Sequence, residues 1–223
     1  MSLVLNIDTA LDTASVCLSK DGNVLQLSSS ENQKDHASWL HAEIAEQLRR
    51  SGHNIKELNA VAVSVGPGSY TGLRVGLAAA KGFCYALQIP LITINSLTII
   101  AFAVKDEAIG MICPLIDARR MEVFTALYDK DLREKVSPLA MVLDEKSFAS
   151  FLLQDKVLFC GNGIKKLQSI ISNNNAHFSN TMADASHLAR LSFTSYKNKE
   201  FADLAYAEPL YIKEFFSPAT GTD

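Results

Sequence analysis

The residues with most scope for chemistry are Gly66-Pro67-Gly68-Ser69-Tyr70-Thr71-Gly72. An apolar run, Val61–Val65, precedes them, and a helical pattern from Thr71 to about Leu87 follows. Strand, glycine turn and helix N-terminus direct backbone N–H groups and the helix dipole to one point, which suits an anion. The stretch is not a P-loop, because no G-x-x-x-x-G-K-[ST] is present. Two readings stand open. One is phosphate contact. The other is a tight turn in which glycine supplies φ > 0 and Ser69 or Thr71 caps the helix.

Asp8 ends the first apolar run, and Asp12 lies in the turn behind it. Carboxylates so placed can sit near a nucleotide's metal ion. The turn Thr9–Thr13 has no glycine, however, so the side chains of Ala10 and Leu11 would crowd a phosphate. Local turn bonding by Asp8 and Thr9 is the simpler reading. His36 and His41 are five apart, roughly 140° around a helix at about 100° per residue, whereas helical metal pairs use i, i+3 or i, i+4. His53, His177 and His187 stand in unrelated segments, so no metal site is expected. No G-x-S-x-G elbow occurs, and Ser69 has no histidine nearby in sequence. The arginines of Asp117-Ala118-Arg119-Arg120 can hold a carboxylate or phosphate, or can decorate a solvated turn.

The elements that must position these residues follow from periodicity. Leu3–Thr9, Ser15–Lys20 and Val24–Ser28 predict a three-strand meander with a hairpin at Asp21-Gly22-Asn23. Asp35–Arg50 carries Ala37, Leu40, Ile44 and Leu48 at helical spacing and is stopped by Gly52. Ala60–Val65, the helix Thr71–Leu87, the strand Leu91–Ile94 and a helix after Asn95-Ser96 complete the first half. The second half predicts strands at Met111–Ile116, Glu122–Tyr128, Glu134–Leu139 and Val157–Cys160. It predicts helices at Asp144–Phe151, Ile164–Ile171 and Asp184–Tyr196, a polar break at Asn173–Thr181, and an extended tail from Ala207 to Phe216. Three strands followed by alternating helices and strands, twice, suggest a duplicated α/β unit with subdomains 1–105 and 106–223.

The 223 residues are 48% hydrophobic and 20% charged, enough for a packed core and unlike a disordered chain. A net charge of −3 gives no sign of a surface that grips nucleic acid alone. Cys17, Cys84, Cys113 and Cys160 form no C-x-x-C pair, and most fall in apolar runs, which predicts buried free thiols in a reducing cytoplasm. The N-terminus has no export signal, and no apolar stretch is long enough to span a membrane.

The helix behind the glycine turn is apolar on two sides. Leu73, Leu77, Ala80, Cys84 and Leu87 form one stripe, and Val75, Ala79, Gly82, Phe83 and Ala86 another, leaving Arg74, Lys81 and Gln88 as a narrow polar edge. Two apolar faces predict burial on both sides. Small residues at 78–80 and 82 allow close helix approach. Trp39 lies roughly 100° from Leu40 on the preceding helix, off its core stripe. Both a contact with that helix and a helix–helix interface with another molecule are expected.

LNIDTALDTASVCL at the start, VGPGSYTGLRVGLAAAKGF in the middle, DARRMEVF at 117–124, CGNG at 160–163 and EPLYIK at 208–213 together resemble the bacterial TsaB (YeaZ) family of tRNA threonylcarbamoyladenosine biosynthesis proteins. The resemblance runs nearly end to end. It implies an actin-like, or ASKHA, α/β fold with two duplicated subdomains of mixed sheets flanked by helices. It implies a noncatalytic partner of a larger TsaD-type paralogue that carries the metal, with a TsaE-type ATPase joining them. ATP or ADP and a metal ion would sit on those partner subunits, none on this chain alone, and tRNA would be met indirectly through the complex. Carried over, the interface takes in Trp39, Leu40, Leu73, Leu77, Ala79, Ala80, Gly82 and Phe83. The loop Gly66, Pro67, Gly68, Ser69, Thr71, Gly72 and Arg74 would lie near a joint nucleotide region. Homodimers would form through the same helices when the paralogue is absent. The family's catalytic paralogue carries H-x-x-x-H, where this chain has His36-x-x-x-x-His41. The rival reading is an ASKHA-type small-molecule kinase using Asp8 and the Gly66–Gly72 loop, with a metalloprotease a distant third.

Overall fold

The computed structural model describes residues 1–30 and 36–212, with the side chain of His36 left aside. Among the described residues ten strands and six α-helices are formed. The first half runs β1 (Leu3–Asp8), β2 (Ala14–Lys20), β3 (Asn23–Ser30), α1 (His36–Ser51), β4 (Ala60–Ser64), α2 (Tyr70–Leu87), β5 (Leu91–Ile94) and α3 (Ser96–Ala103). The second half repeats that order: β6 (Met111–Asp117), β7 (Glu122–Tyr128), β8 (Glu134–Val142), α4 (Ala149–Leu152), β9 (Val157–Cys160), α5 (Ile164–Gln168), β10 (Ala176–Phe178) and α6 (Ala185–Asn198).

The two sheets share one plan, β3-β2-β1-β4-β5 and β8-β7-β6-β9-β10. In each, three strands pair antiparallel and two add in parallel. β1, β4 and β6 are buried along almost their whole length, which explains their continuous apolar runs. One core lies between the first sheet and α1 and α2, built from Leu5, Ile7, Val16, Leu18, Leu40, Ile44, Leu77 and their neighbours. Another lies under the second sheet around Phe159, Phe148 and Leu167.

The third helix of each half crosses over. α3 places Leu97, Ile100, Ala101 and Val104 against Ile112, Ile116 and Tyr128 of the second sheet. α6 packs on the first sheet, with Leu188 meeting Val4, Ala60, Ala62 and Ile92, and Ala185 and Ala189 meeting Cys17. Buried polar groups set its register. Ser192 Oγ donates to Asn6 Oδ1 (2.6 Å), and the Ala185 amide donates to Ser15 Oγ (2.9 Å). A cut between residues 105 and 106 therefore separates the two sheets but not the packing units, because the last helix belongs to the first sheet.

Three sequence expectations are corrected. The helix expected over Asp144–Phe151 shrinks to Ala149–Leu152, because Asp144 Oδ1 accepts the Lys146 amide (2.9 Å) and the Ser147 hydroxyl (2.9 Å) and closes a turn. The helix expected to reach Ile171 ends at Gln168. The polar break at Asn173–Thr181 contains β10, a strand created by its partner β9 rather than by its own pattern. Asp35, expected in α1, and residues 213–216, expected in the tail, lie outside the described residues.

Candidate partner-binding face and interdomain cleft

The glycine loop joins β4 to α2. Ser69 caps α2 by accepting the Gly72 amide (3.3 Å). Gly66 has φ +111°, a conformation that favours glycine, and the chain's own residue Leu210 passes directly over it. The other glycines answer to the turn after β1. The Ala10 carbonyl accepts the Ser69 amide (2.7 Å), and the Thr9 hydroxyl donates to the Gly72 carbonyl (2.8 Å). A Cβ on Gly68, Gly72 or Gly76 would collide with Ala10 or Thr9. These glycines are spent on the protein's own β1–β2 turn. The arrangement does not fit a phosphate cradle.

Asp8 is buried, accepting from Ser64 Oγ (2.6 Å) and the Ala10 amide (3.1 Å). Burial raises its carboxyl above the usual range, against those two hydrogen bonds. It braces the turn, as the local reading of Asp8 and Thr9 expects. Among the described residues no group of three His, Cys, Asp or Glu side chains is placed to hold a metal ion. His41 instead stands beside Phe83, their rings 5.8 Å apart.

A cleft of about 580 Å³ opens between the two halves, bordered by Leu11, Asp12, Ser69, Thr71, Asp117 and Arg119, among others. Arg119 and Arg120 are both left-handed, with φ of 69° and 47°. Two such non-glycine residues in sequence cost about 1–2 kcal/mol each, so their surroundings must hold them. Asp117 does so by accepting from the Arg119 amide (2.6 Å) and Lys166 Nζ (2.7 Å), while Asn162 of the CGNG segment accepts the Asp117 amide (2.9 Å). Partial burial opposes ionisation of Asp117, and the Lys166 ammonium and the Arg119 amide outweigh it, keeping the carboxyl below its usual range.

Around α2 four sides are distinct. Leu73, Leu77, Ala80 and Cys84 are buried in the core. Ala79 and Phe83 turn toward α1, with Ala79 buried and Phe83 half-buried. The opposite flank is covered by the chain's own tail. Lys81 Nζ donates to the carbonyls of Ala205 (3.2 Å) and Ala207 (3.0 Å), Arg74 Nε donates to the Tyr211 hydroxyl (2.9 Å), and the Leu210 amide donates to the Val65 carbonyl (2.7 Å). Arg74 also stacks on Tyr70, 3.9 Å from the ring centre. Between tail and α1 runs an open stripe: Thr71, Ala78, Gly82 and Ala86 are exposed and Val75 half-buried. A Cβ on Gly82 would meet nothing within 4 Å.

The residues expected in or beside the contact divide by burial. Leu40, Leu73, Leu77, Ala79 and Ala80 lie in this chain's own core and support the face from behind. Only Trp39, Gly82 and Phe83 of that set reach the surface. Thr71, Val75, Ala78 and Ala86 lie on the same open side of α2 as Gly82, and Val75 and Ala86 belong to the second apolar stripe read from the sequence. The strap of residues 203–212 is held by backbone groups of Ala205, Ala207 and Leu210 and by the Tyr211 side chain, a pairing with no local periodicity to announce it.

The TsaD family, described as tRNA N6-adenosine threonylcarbamoyltransferase, matches residues 27–209. The tRNA threonylcarbamoyladenosine biosynthesis protein TsaB of Bacillus subtilis is 30% identical over 94% of this chain and 93% of its own length. The chain belongs to the TsaB family. YeaZ from Pseudomonas aeruginosa superposes with a TM-score of 0.82 at 23% identity, covering 95% of this chain and all of that one. The ADPNP-bound activator of 2-hydroxyisocaproyl-CoA dehydratase from Clostridium difficile superposes at 0.50 with 9% identity, over 89% of this chain and 97% of that one. These likenesses give the TsaB-family chain the actin-like ASKHA fold. No helix among its described residues is long and apolar enough to cross a membrane.

Proposed function

We propose that this chain is a noncatalytic subunit of a tRNA threonylcarbamoyladenosine-forming complex, supporting a TsaD-type threonylcarbamoyltransferase in the cytoplasm. The observation that carries this reading is the open small-residue stripe of α2 beside α1, in a chain whose glycine loop is filled by its own β1–β2 turn. Small side chains let a second helix approach closely and bury apolar surface without a large side-chain entropy cost. The stripe of the paralogue, or of a second copy when the paralogue is absent, is its partner. In this reading the rim of the loop lies near the joint nucleotide region; its support is that Ser69 and Thr71 border the cleft, with Arg74 held by Tyr211. ATP or ADP, the metal ion and tRNA are held by the TsaD-type and TsaE-type partners.

Reconstituted threonylcarbamoyladenosine formation on tRNA tests this. Activity is expected only when this chain and the paralogue are both present, with none from this chain alone. Activity unchanged by its omission overturns the reading. Gly82→Glu is expected to remove pairing with the paralogue while circular dichroism and melting stay near those of the parent. The kinase alternative predicts tight, magnesium-dependent ATP binding by the lone chain, and titration should find none.

A further inference from the structure

We propose that the cavity between the end of α3 and the start of α6 binds a small phosphate-bearing molecule. The cavity measures about 360 Å³ and shares no residue with the interdomain cleft. Three stretches of chain enclose it. Val24 comes from β3, Phe102 and Lys105 from α3 and the turn after it, and Ser186, His187 and Arg190 from the first two turns of α6. α3 and α6 are the two exchanged helices, so only the complete fold assembles these side chains.

Two cations and an imidazole converge here. On α6, Arg190 stands one turn beyond Ser186 and His187, at i+4 and i+3, so the three share a face. Leu188 and Ala189 are buried against the first sheet, which fixes the rotation of the helix. The positions able to neutralise Arg190 within α6 hold Ser186, His187, Phe193 and Thr194, none of them acidic. Among the described residues neither Arg190 nor Lys105 forms an ion pair. Lys105 is half-buried, with Nζ over the Phe102 ring and 5.5 Å from its centre. The His187 ring is held through Nδ1, which meets the Asp184 amide (3.2 Å) and carboxyl (3.0 Å), and this leaves Nε2 for a ligand.

The nearby carboxylates do not cancel this charge. Asp106 is the one acid on the wall, and it is exposed. Glu107 is off the wall and accepts from Thr181 Oγ1 (2.7 Å), and Asp184 is engaged by His187 and Ser186. A guanidinium fork, an ammonium and an imidazole nitrogen in one cavity match the several oxygens of a phosphate group better than the two of a carboxylate. The cavity is larger than one phosphate, and Val24 and Phe102 give an apolar wall to the organic part. Bound there, the molecule would tie α3 to α6.

Titration of the lone chain with inorganic phosphate and with ribose 5-phosphate, at constant ionic strength and followed by amide NMR shifts, tests this without any partner subunit. Saturable shifts centred on residues 102–106 and 186–190 are expected with at least one of the two probes. Arg190→Gln and Lys105→Gln are each expected to weaken binding about tenfold or more, the loss of one charge-assisted hydrogen bond. Arg49→Gln, which removes an exposed cation from α1, is expected to leave the affinity unchanged. No saturation with either probe, an affinity equal to the parent's in either cavity variant, equal weakening by Arg49→Gln, or shifts centred on residues 69–71 of the cleft would overturn the proposal.

Discussion

At the residue scale, the glycines of α2 and its loop separate into two kinds. Gly68, Gly72 and Gly76 accommodate the β1–β2 turn, whereas Gly82 faces open space. Gly72→Ala is expected to lower stability by about 1–3 kcal/mol in urea titration, because the Thr9 carbonyl must move. Gly82→Ala is expected to raise it by about 0.5–1 kcal/mol, since a helix-interior glycine gains propensity with no clash. The thiols are equally sorted by surroundings. All four cysteines are buried and unpaired with one another. Burial pushes Cys17 and Cys113 up to about 12 and Cys84 up to about 11. Iodoacetamide at neutral pH is expected to spare all four in the native protein and to label them in denaturant.

At the element scale, α6 depends on its cap. Asp184 accepts from the Ser186 amide (2.9 Å), and His187 reaches back to the Asp184 amide (3.2 Å). Burial opposes ionisation of Asp184, but the adjoining His187 ring and the hydrogen bonds from Ser186 outweigh it and hold the carboxyl at about 2. A depressed carboxyl contributes stability above its unfolded value, near 3.9, that is lost as pH falls toward 2. Asp184→Ala is expected to cost about 1 kcal/mol at pH 7, with the difference from the parent narrowing below pH 4 in thermal melts. Much of this was legible in advance. Capping residues and apolar periodicity placed α2, α3 and α6 to within a residue or two at their N-termini, and Asp21-Gly22 placed the first hairpin. β10 was not legible, because three residues gain strand structure only from β9. Nor was the division of α2 into core, strap and open stripe. Ala79 and Gly82 look alike in sequence, and only the positions of α1 and residues 203–212 tell them apart.

At the scale of the whole molecule, repetition was visible in element order, but exchange was not. Nothing in the periodicity of α3 or α6 tells which sheet covers it, since both sheets offer the same apolar faces. The exchange also orders events during synthesis. α1, α2 and all five strands of the first sheet leave the ribosome long before residue 185. Until then the face bearing Val4, Ala62, Ile92 and Cys17 lacks Leu188 and Ala189. A nascent chain paused between β10 and α6 would display that apolar face to chaperones and proteases. The first sheet is thus covered only after the second has been made, and the time before α6 emerges is the interval in which quality control would meet it.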